Sequence, residues 1–273
     1  MKLKELYLYI LKSLDVKIKN REIEAKFIIN KLGYSNLDLL FNDIFITPEQ
    51  IKKVDVILKR RNNFEPLSYI FNTREFFGRE FYVDKNVLIP RNETELMIEK
   101  VLKECSGHKN IKYLDLCTGS GCVGITIMKE LGINGDLSDI SDNALEVARI
   151  NASKLGVNPR FFCSDLFENI NEKYNLITIN PPYVPIKRKN LLDRDISFEP
   201  EIAIFSEDDG MFLIKKILMN ISDYVMKDSY VIIEIDETHK EGIVDYITKN
   251  NFGFDYSFIK DYSEFYRFIE LRF

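Results

Sequence analysis

Asn180, Pro181, Pro182 and Tyr183 are the residues best equipped to do chemistry in this chain, and they follow the apolar run 174–179. Proline has no N–H and a fixed φ, so two in succession end a strand and leave its last carbonyls without ladder partners. One strand end then offers the Asn180 carboxamide, a backbone carbonyl on Pro181 and the flat face of Tyr183. Together these groups can hold a planar –NH2: the amide oxygen and the carbonyl accept its two hydrogens, and the ring covers its face. A nitrogen held that way can attack an electrophile on its other side.

The electrophile has a candidate site upstream. Residues 113–124, Tyr-Leu-Asp-Leu-Cys-Thr-Gly-Ser-Gly-Cys-Val-Gly, read as a short apolar strand, a glycine-rich turn and the start of an amphipathic helix. Glycines at such a turn let backbone approach a ligand, although dinucleotide sites use similar turns. The next strand carries Asp139, about 20 residues beyond the glycines, a spacing that suits hydrogen bonds to ribose hydroxyls. Asp139 could instead cap the following helix, but Ser141 is the better N-cap and leaves Asp139 for the ribose. A further acid, Asp165, follows Arg160-Phe161-Phe162-Cys163. Glycine turn, acid, acid and Asn-Pro-Pro-Tyr stand in the order expected of an S-adenosylmethionine site.

The chain resembles the protein-(glutamine-N5) methyltransferases that modify class 1 peptide chain release factors. The likeness covers nearly the whole length and is tightest over residues 74–207. It is carried by Arg74-Glu75-Phe76-Phe77-Gly78, Val87-Leu88-Ile89-Pro90-Arg91-Asn92-Glu93-Thr94-Glu95, residues 114–121, Asp139-Ile140-Ser141, Asn180-Pro181-Pro182-Tyr183 and Phe198-Glu199-Pro200. Asn-Pro-Pro-Tyr also occurs in adenine-N6 and other amino-group methyltransferases, and the Ile-Pro-Arg-x-x-Thr-Glu and Phe-Glu-Pro segments narrow the likeness to the glutamine group.

The resemblance implies methyl transfer from S-adenosylmethionine, with S-adenosylhomocysteine as product, to the glutamine of a Gly-Gly-Gln loop. It implies catalytic and substrate-binding roles for Asn180, Pro181, Pro182 and Tyr183. It implies cofactor binding by Cys117, Thr118, Gly119, Ser120, Gly121, Asp139, Asp165, Leu166 and Asn180. Asp165 would accept from the adenine amino group, and Leu166 would flank the ring where some members carry an aromatic. Cys117 stands where the family usually has its first glycine; a β-carbon fits there if φ is negative. The segment with Arg91 and Glu95 would lie beside the methionine end of the cofactor, and Phe77 could line the same pocket. Other readings are a ribosomal-protein glutamine methyltransferase, an adenine-N6 nucleic-acid methyltransferase and a non-catalytic cofactor- or translation-factor-binding module. The adenine-N6 reading calls for a basic recognition region, and a net charge of -5 argues against one. An intact Asn-Pro-Pro-Tyr and both acids count against the non-catalytic reading.

The elements that must position these residues can be read from apolar spacing. Leu3, Leu6, Ile10 and Leu14 mark a helix over 2–15, and Ile23, Phe27 and Leu32 mark another over 20–33 that stops at Gly33. A short helix over 37–42 follows, then one from Thr47-Pro48 to about Asn62, with Thr47 as N-cap and Pro48 at the first helical position. Residues 1–72 thus form an N-terminal helical bundle, expected to recognise the substrate, and 73–91 form a hairpin linker. Residues 92–273 alternate strand and helix. Strands are expected near 111–117, 135–140, 160–163, 174–180, 229–235, 254–259 and 265–272, and helices near 93–104, 122–131, 142–155, 210–226 and 239–250. This is an α/β, Rossmann-like methyltransferase domain with a seven-stranded sheet, its last two strands pairing antiparallel at one edge. Asn92-Glu93-Thr94-Glu95 fits a capping box at the first of these helices. In the loop 184–209, Lys187-Arg188-Lys189 and Arg194 read as a solvated charge run or as a partner contact.

Composition sets the remaining bounds. Hydrophobic content of 45% and charge of 30% in 273 residues suit a soluble globular protein with a sizeable core. No apolar run reaches membrane-spanning length and the N-terminal segment lacks a signal-peptide core, so the expected place is the cytoplasm. Cys105, Cys117, Cys122 and Cys163 form no CxxC pair and are expected to be reduced; His108 and His239 give no zinc pattern, and no metal is expected. A monomer without direct nucleic-acid or membrane binding is expected.

Overall fold

The computed structural model describes residues 1–41, 43–108 and 110–273, the side chain of Phe41 excepted. Asn42, the last residue of the expected short helix, lies outside the described residues. The chain separates into two compact units. The first comprises residues 1–72 together with 194–198, the second residues 73–193 and 199–273.

The first unit contains α1 (Leu3–Ser13), α2 (Arg21–Lys31), α3 (Asn36–Phe41), α4 (Pro48–Asn62) and the short α5 (Leu67–Ile70). α4 starts as its sequence demands: the Thr47 hydroxyl accepts from the Gln50 N–H, and the Gln50 side chain accepts from the Thr47 N–H at 3.0 Å. Leu3, Leu6, Ile10, Ile28, Ile29 and Val54 fill the core. The Arg61 guanidinium is buried and paired with Glu24 at 2.7 Å and with Asp195 at 2.9 Å. Arg194 stacks over the Phe64 ring at 4.9 Å. These contacts are what gather 194–198 into this unit.

The second unit opens with the hairpin β1 (Arg74–Phe76) and β2 (Arg79–Phe81), whose Phe76 and Phe81 are buried in its core. Then come α6 (Glu95–Glu104), β3 (Tyr113–Leu116), α7 (Cys122–Leu131), β4 (Gly135–Asp139), α8 (Asp142–Leu155), β5 (Arg160–Cys163) and β6 (Tyr174–Ile179). The short β7 (Val184–Pro185) and β8 (Phe205–Ser206) pair with each other. α9 (Phe212–Asn220), β9 (Val225–Glu234), α10 (Lys240–Asn250), β10 (Asp255–Lys260) and β11 (Tyr266–Arg272) complete it.

Among the described residues the main sheet has seven strands in the order β10-β11-β9-β6-β3-β4-β5. β9, β6, β3, β4 and β5 are parallel; β11 runs antiparallel to both its neighbours. Side chains alternate across the sheet. Leu114, Leu116, Ile177, Ile179 and Ile233 join one core with α9 and α10, while Tyr113, Leu137, Leu176 and Ile232 join another with α6, α7 and α8. Both faces are covered, which is why these strands read as continuous apolar runs. The chain steps outward from β3 to β4 and β5, then returns to lay β6 on the other side of β3. Such a reversal opens a crevice at the carboxyl ends of the strands.

Three local expectations are corrected. The helix expected over 210–226 ends at Asn220 and a 3-10 turn, and β9 begins at Val225 rather than 229. Its first residues are hidden from a periodicity reading by exposed Lys227 and Asp228, Asp228 taking a left-handed φ of 57°. The capping box at 92–95 does not form: a 3-10 turn Asn92–Thr94 precedes α6, Arg74 donates to the Asn92 side chain at 2.7 Å, and the Glu95 carboxylate accepts from the Phe77 N–H at 3.0 Å. Both side chains are recruited by the hairpin instead. Cys117 has φ 58°, in the left-handed region, so the negative φ under which a β-carbon would fit there is not the one adopted.

Candidate functional site

The crevice is a cavity of about 340 Å³, bounded by the ends of β3, β4, β5 and β6 and by residues 86–94 and 200–213. Its volume lies in the range of small-ligand pockets.

The glycine turn forms the floor. The Thr118 N–H bonds the Ser138 carbonyl at 3.0 Å and the Gly121 N–H bonds the Thr118 carbonyl at 2.8 Å. Gly121 has φ 78°, and a β-carbon there would meet the Ile125 side chain at 2.7 Å, so only glycine lets α7 start so close to the turn. Cys117, Thr118, Gly119 and Ser120 line the cavity; Gly121 does not. The turn is tied from both sides by carboxylates. Asp115, 2% exposed, accepts from the Thr118 hydroxyl at 2.6 Å, the Gly124 N–H at 3.1 Å and the Thr178 hydroxyl at 2.6 Å. Burial pushes its carboxyl up to about 6 despite these bonds.

Asp139 lines the cavity but is not a free carboxylate. It accepts from the Gly119 N–H at 2.8 Å and the Ser141 N–H at 3.0 Å, and burial raises its pKa. Ser141 caps α8 as expected, accepting from the Ala144 N–H. Asp165 and Leu166 also line the cavity. Asp165 pairs with Lys216 of α9 at 2.8 Å, and Leu166, with φ 49°, is packed into the core.

Asn180 stands at the end of β6 with its side chain on the cavity. Its carboxamide has no hydrogen-bond partner among the described residues. Pro182 lines the cavity; Pro181 and Tyr183 are not part of the lining. The Tyr183 hydroxyl donates to Glu234 at 2.9 Å, and its ring meets His239 edge-on with centroids 6.4 Å apart. Gly210, with φ 91°, permits the close passage of this turn, since a β-carbon there would stand 2.1 Å from the Tyr183 carbonyl.

One wall is the segment containing Arg91, the other the segment after Glu199. Glu199 joins them: buried, it accepts from the Ile89 N–H at 2.9 Å and from the Arg91 guanidinium at 2.6 Å. Arg91 lines the cavity, whereas Phe77 and Glu95 bond each other outside the lining. Lys187, Arg188 and Lys189 are each paired within the unit, with Asp209 at 2.6 Å, Asp236 at 3.1 Å and Glu201 at 2.5 Å. The Lys187 and Lys189 pairs are solvent-exposed and add little to stability, and the run is not an unpaired basic patch.

Sequence reasoning gave no role to Asp115, Glu199 or Glu234. A signal existed for two of them: each of Asp115 and Glu234 interrupts an apolar strand, where an unpaired acid would be costly. Glu199 works across more than a hundred residues of chain, and no local pattern shows that. Among the described residues no group of His, Cys, Asp and Glu side chains could hold a metal ion. No described helix is long and apolar enough to cross a membrane.

Residues 92–194 match the family model of the methyltransferase small domain. The chain is 35% identical over 231 residues to the release factor glutamine methyltransferase of Mycoplasma mycoides, covering 81% of each. It is 35% identical over 251 residues to the release factor glutamine methyltransferase of Buchnera aphidicola from Schizaphis graminum, covering 89% of this chain and 90% of the relative. A bifunctional methyltransferase of Rickettsia bellii is 36% identical over 256 residues, which span 80% of this chain but only 45% of that longer protein. A methyltransferase from Pyrococcus furiosus shares the fold, with a TM-score of 0.54, 14% identity, and coverage of 82% of this chain and 98% of that one.

Proposed function

Because the chain belongs to the release factor glutamine methyltransferase family, we propose that it methylates the side-chain amide nitrogen of the glutamine in the Gly-Gly-Gln motif of class 1 peptide chain release factors. The methyl donor is S-adenosylmethionine and the product S-adenosylhomocysteine. The observation that carries this reading is an unpartnered Asn180 carboxamide at a strand end, facing a cavity floored by the glycine turn.

The residues present fit the donor. Four carboxylates, Asp115, Asp139, Asp165 and Glu207, and one guanidinium, Arg91, line otherwise largely apolar walls. That balance suits a ligand with a positive centre and a flat apolar part. When bound, S-adenosylmethionine supplies a methyl group on a positively charged sulfur. Asp139 would take the ribose hydroxyls with its remaining lone pairs, Asp165 would accept from the adenine amino group, and Leu166 would flank the ring.

An amide nitrogen is a poor nucleophile because resonance draws its lone pair into the carbonyl. The Asn180 oxygen and the Pro181 carbonyl accept its two hydrogens, fix its orientation and stabilise the positive charge that grows on it. Tyr183 covers the open side of the turn. No base need act first, because the proton becomes acidic only as the C–N bond forms. The helical unit 1–72 recognises the protein substrate, and the enzyme works as a cytoplasmic monomer without binding nucleic acid. Incubation with labelled S-adenosylmethionine and purified release factor, followed by mass mapping, tests the reading. Label on the Gly-Gly-Gln glutamine is expected; an unlabelled release factor, or label elsewhere, overturns it.

A further inference from the structure

Glu234 ends β9 at the level where the chain leaves β6, since Ile233 is the register partner of Ile179. Its side chain is buried, with Oε1 accepting from the Tyr183 hydroxyl at 2.9 Å; Oε2 makes no hydrogen bond of good geometry, although the Thr94 hydroxyl beside it favours the charged form. A buried carboxylate is an expensive way to satisfy two neutral hydroxyls, and apolar side chains would fill the same space at lower cost. Ion pairing does not account for it either. Arg267, whose charge acts on Glu234, makes its salt bridge to Asp261 at 2.8 Å. The other contacts of Tyr183 hold its ring edge and its backbone, through His239 and Gly210. Among the described residues only Glu234 holds its hydroxyl.

We propose that Glu234 is a positioning residue for methyl transfer. Its carboxylate fixes the Tyr183 phenol, and through it the plane of the ring that closes the Asn180-Pro181-Pro182-Tyr183 turn over the acceptor –NH2. The inference rests on the methyl-transfer reading and gives β9 a part in it. A charge-assisted hydrogen bond is shorter and stiffer than a neutral one, which is what holding one ring orientation requires.

The test is a double-mutant cycle read as kcat and KM for release factor and for S-adenosylmethionine. Glu234→Leu, which fills the space without an acceptor, is expected to lower kcat about tenfold to a hundredfold, the scale of one hydrogen bond to a charged group. KM for S-adenosylmethionine should hold steady. Glu234→Gln, a neutral acceptor for the phenol, should recover only part of the rate. Tyr183→Phe removes the same bond from the other side and should show the same loss, and the Glu234→Leu, Tyr183→Phe double variant should be no slower than either single one. Should Glu234→Leu fail to fold, Tyr183→Phe still decides, because an unchanged kcat in that variant overturns the proposal. Losses that multiply in the double variant also overturn it. A wild-type protein that transfers no methyl group overturns the methyl-transfer reading and this inference with it. An active wild type with multiplying losses overturns the inference alone.

Discussion

Asn180 makes no side-chain hydrogen bond among the described residues, and its substitution should therefore touch the rate and not the fold. Asn180→Ala is expected to lower kcat by about 10²–10³, by analogy with losing one donor of an oxyanion hole. Asn180→Asp keeps the shape and still accepts hydrogen bonds, so it should fall between wild type and Ala; single-turnover methylation of release factor gives the order. Asp139 is different, because it ties down the turn as well as having a proposed part in holding the ligand. Asp139→Ala should weaken S-adenosylmethionine binding by about 1–3 kcal/mol, the scale for hydrogen bonds to a charged group, and should also lower the melting temperature. Calorimetry and thermal melts separate the two effects. The strand-ending Asn180 and the glycine turn were legible in the sequence because both are local: a few consecutive residues carry the whole signal. The bond from the turn to Asp139 was not, since the Gly119 N–H it accepts from is 20 residues away. Neither was the left-handed Cys117. A non-glycine residue there costs about 1–2 kcal/mol, and a β-branched one more. Cys117→Gly should stay folded with its cofactor affinity intact, whereas Cys117→Val should melt at a lower temperature.

At the scale of elements, the site depends on how segments are fastened to one another. His239 is buried beside Tyr183; its Nδ1 accepts from the Asp236 N–H, so Nε2 carries the proton and donates to the Asp209 carbonyl at 3.2 Å. Burial lowers its pKa, although Asp236 and Asp209 favour the cation and Arg188 opposes it. A lowered folded pKa means that the unfolded chain takes up the proton first. The stability His239 confers is full above the unfolded value, about 6.5, and is lost as pH falls through the folded one. Asp115 has the opposite sign: its raised pKa of about 6 makes the folded state relatively more stable as pH falls below that value. Chemical denaturation of wild type and His239→Gln at several pH values isolates the first effect, and the stability gap between them should narrow below about pH 6.5. Helix and strand order was readable from apolar periodicity because the sheet is covered on both faces. The starts of α6 and β9 were not, because Arg74 and Phe77 take the side chains that would have capped the helix, and Lys227 and Asp228 break the strand's apolar run.

At the scale of the whole molecule, deletion of residues 1–72 should leave S-adenosylmethionine binding largely intact and impair methylation of intact release factor, since every cavity-lining residue lies beyond residue 85. The deletion also removes Arg61 and Phe64, the partners of Asp195 and Arg194. The loop 184–209 should become more susceptible to protease around 194–198. Comparing cofactor titration with release-factor kinetics on the truncated protein checks the first expectation, and limited proteolysis the second. The order of the sheet also sets a timetable for synthesis. β11, the last strand made, lies between β10 and β9 and not at the margin. Glu199 must meet Ile89 across 110 residues of chain, and Tyr183 waits for Glu234. Contacts this distant form late, because the loop must close before they repay its entropy. A chain stalled on the ribosome before residues 266–272 emerge should remain protease-sensitive and fail to bind S-adenosylmethionine. An enzyme proposed to act on the termination of translation would then stay silent until its own last strand had been translated.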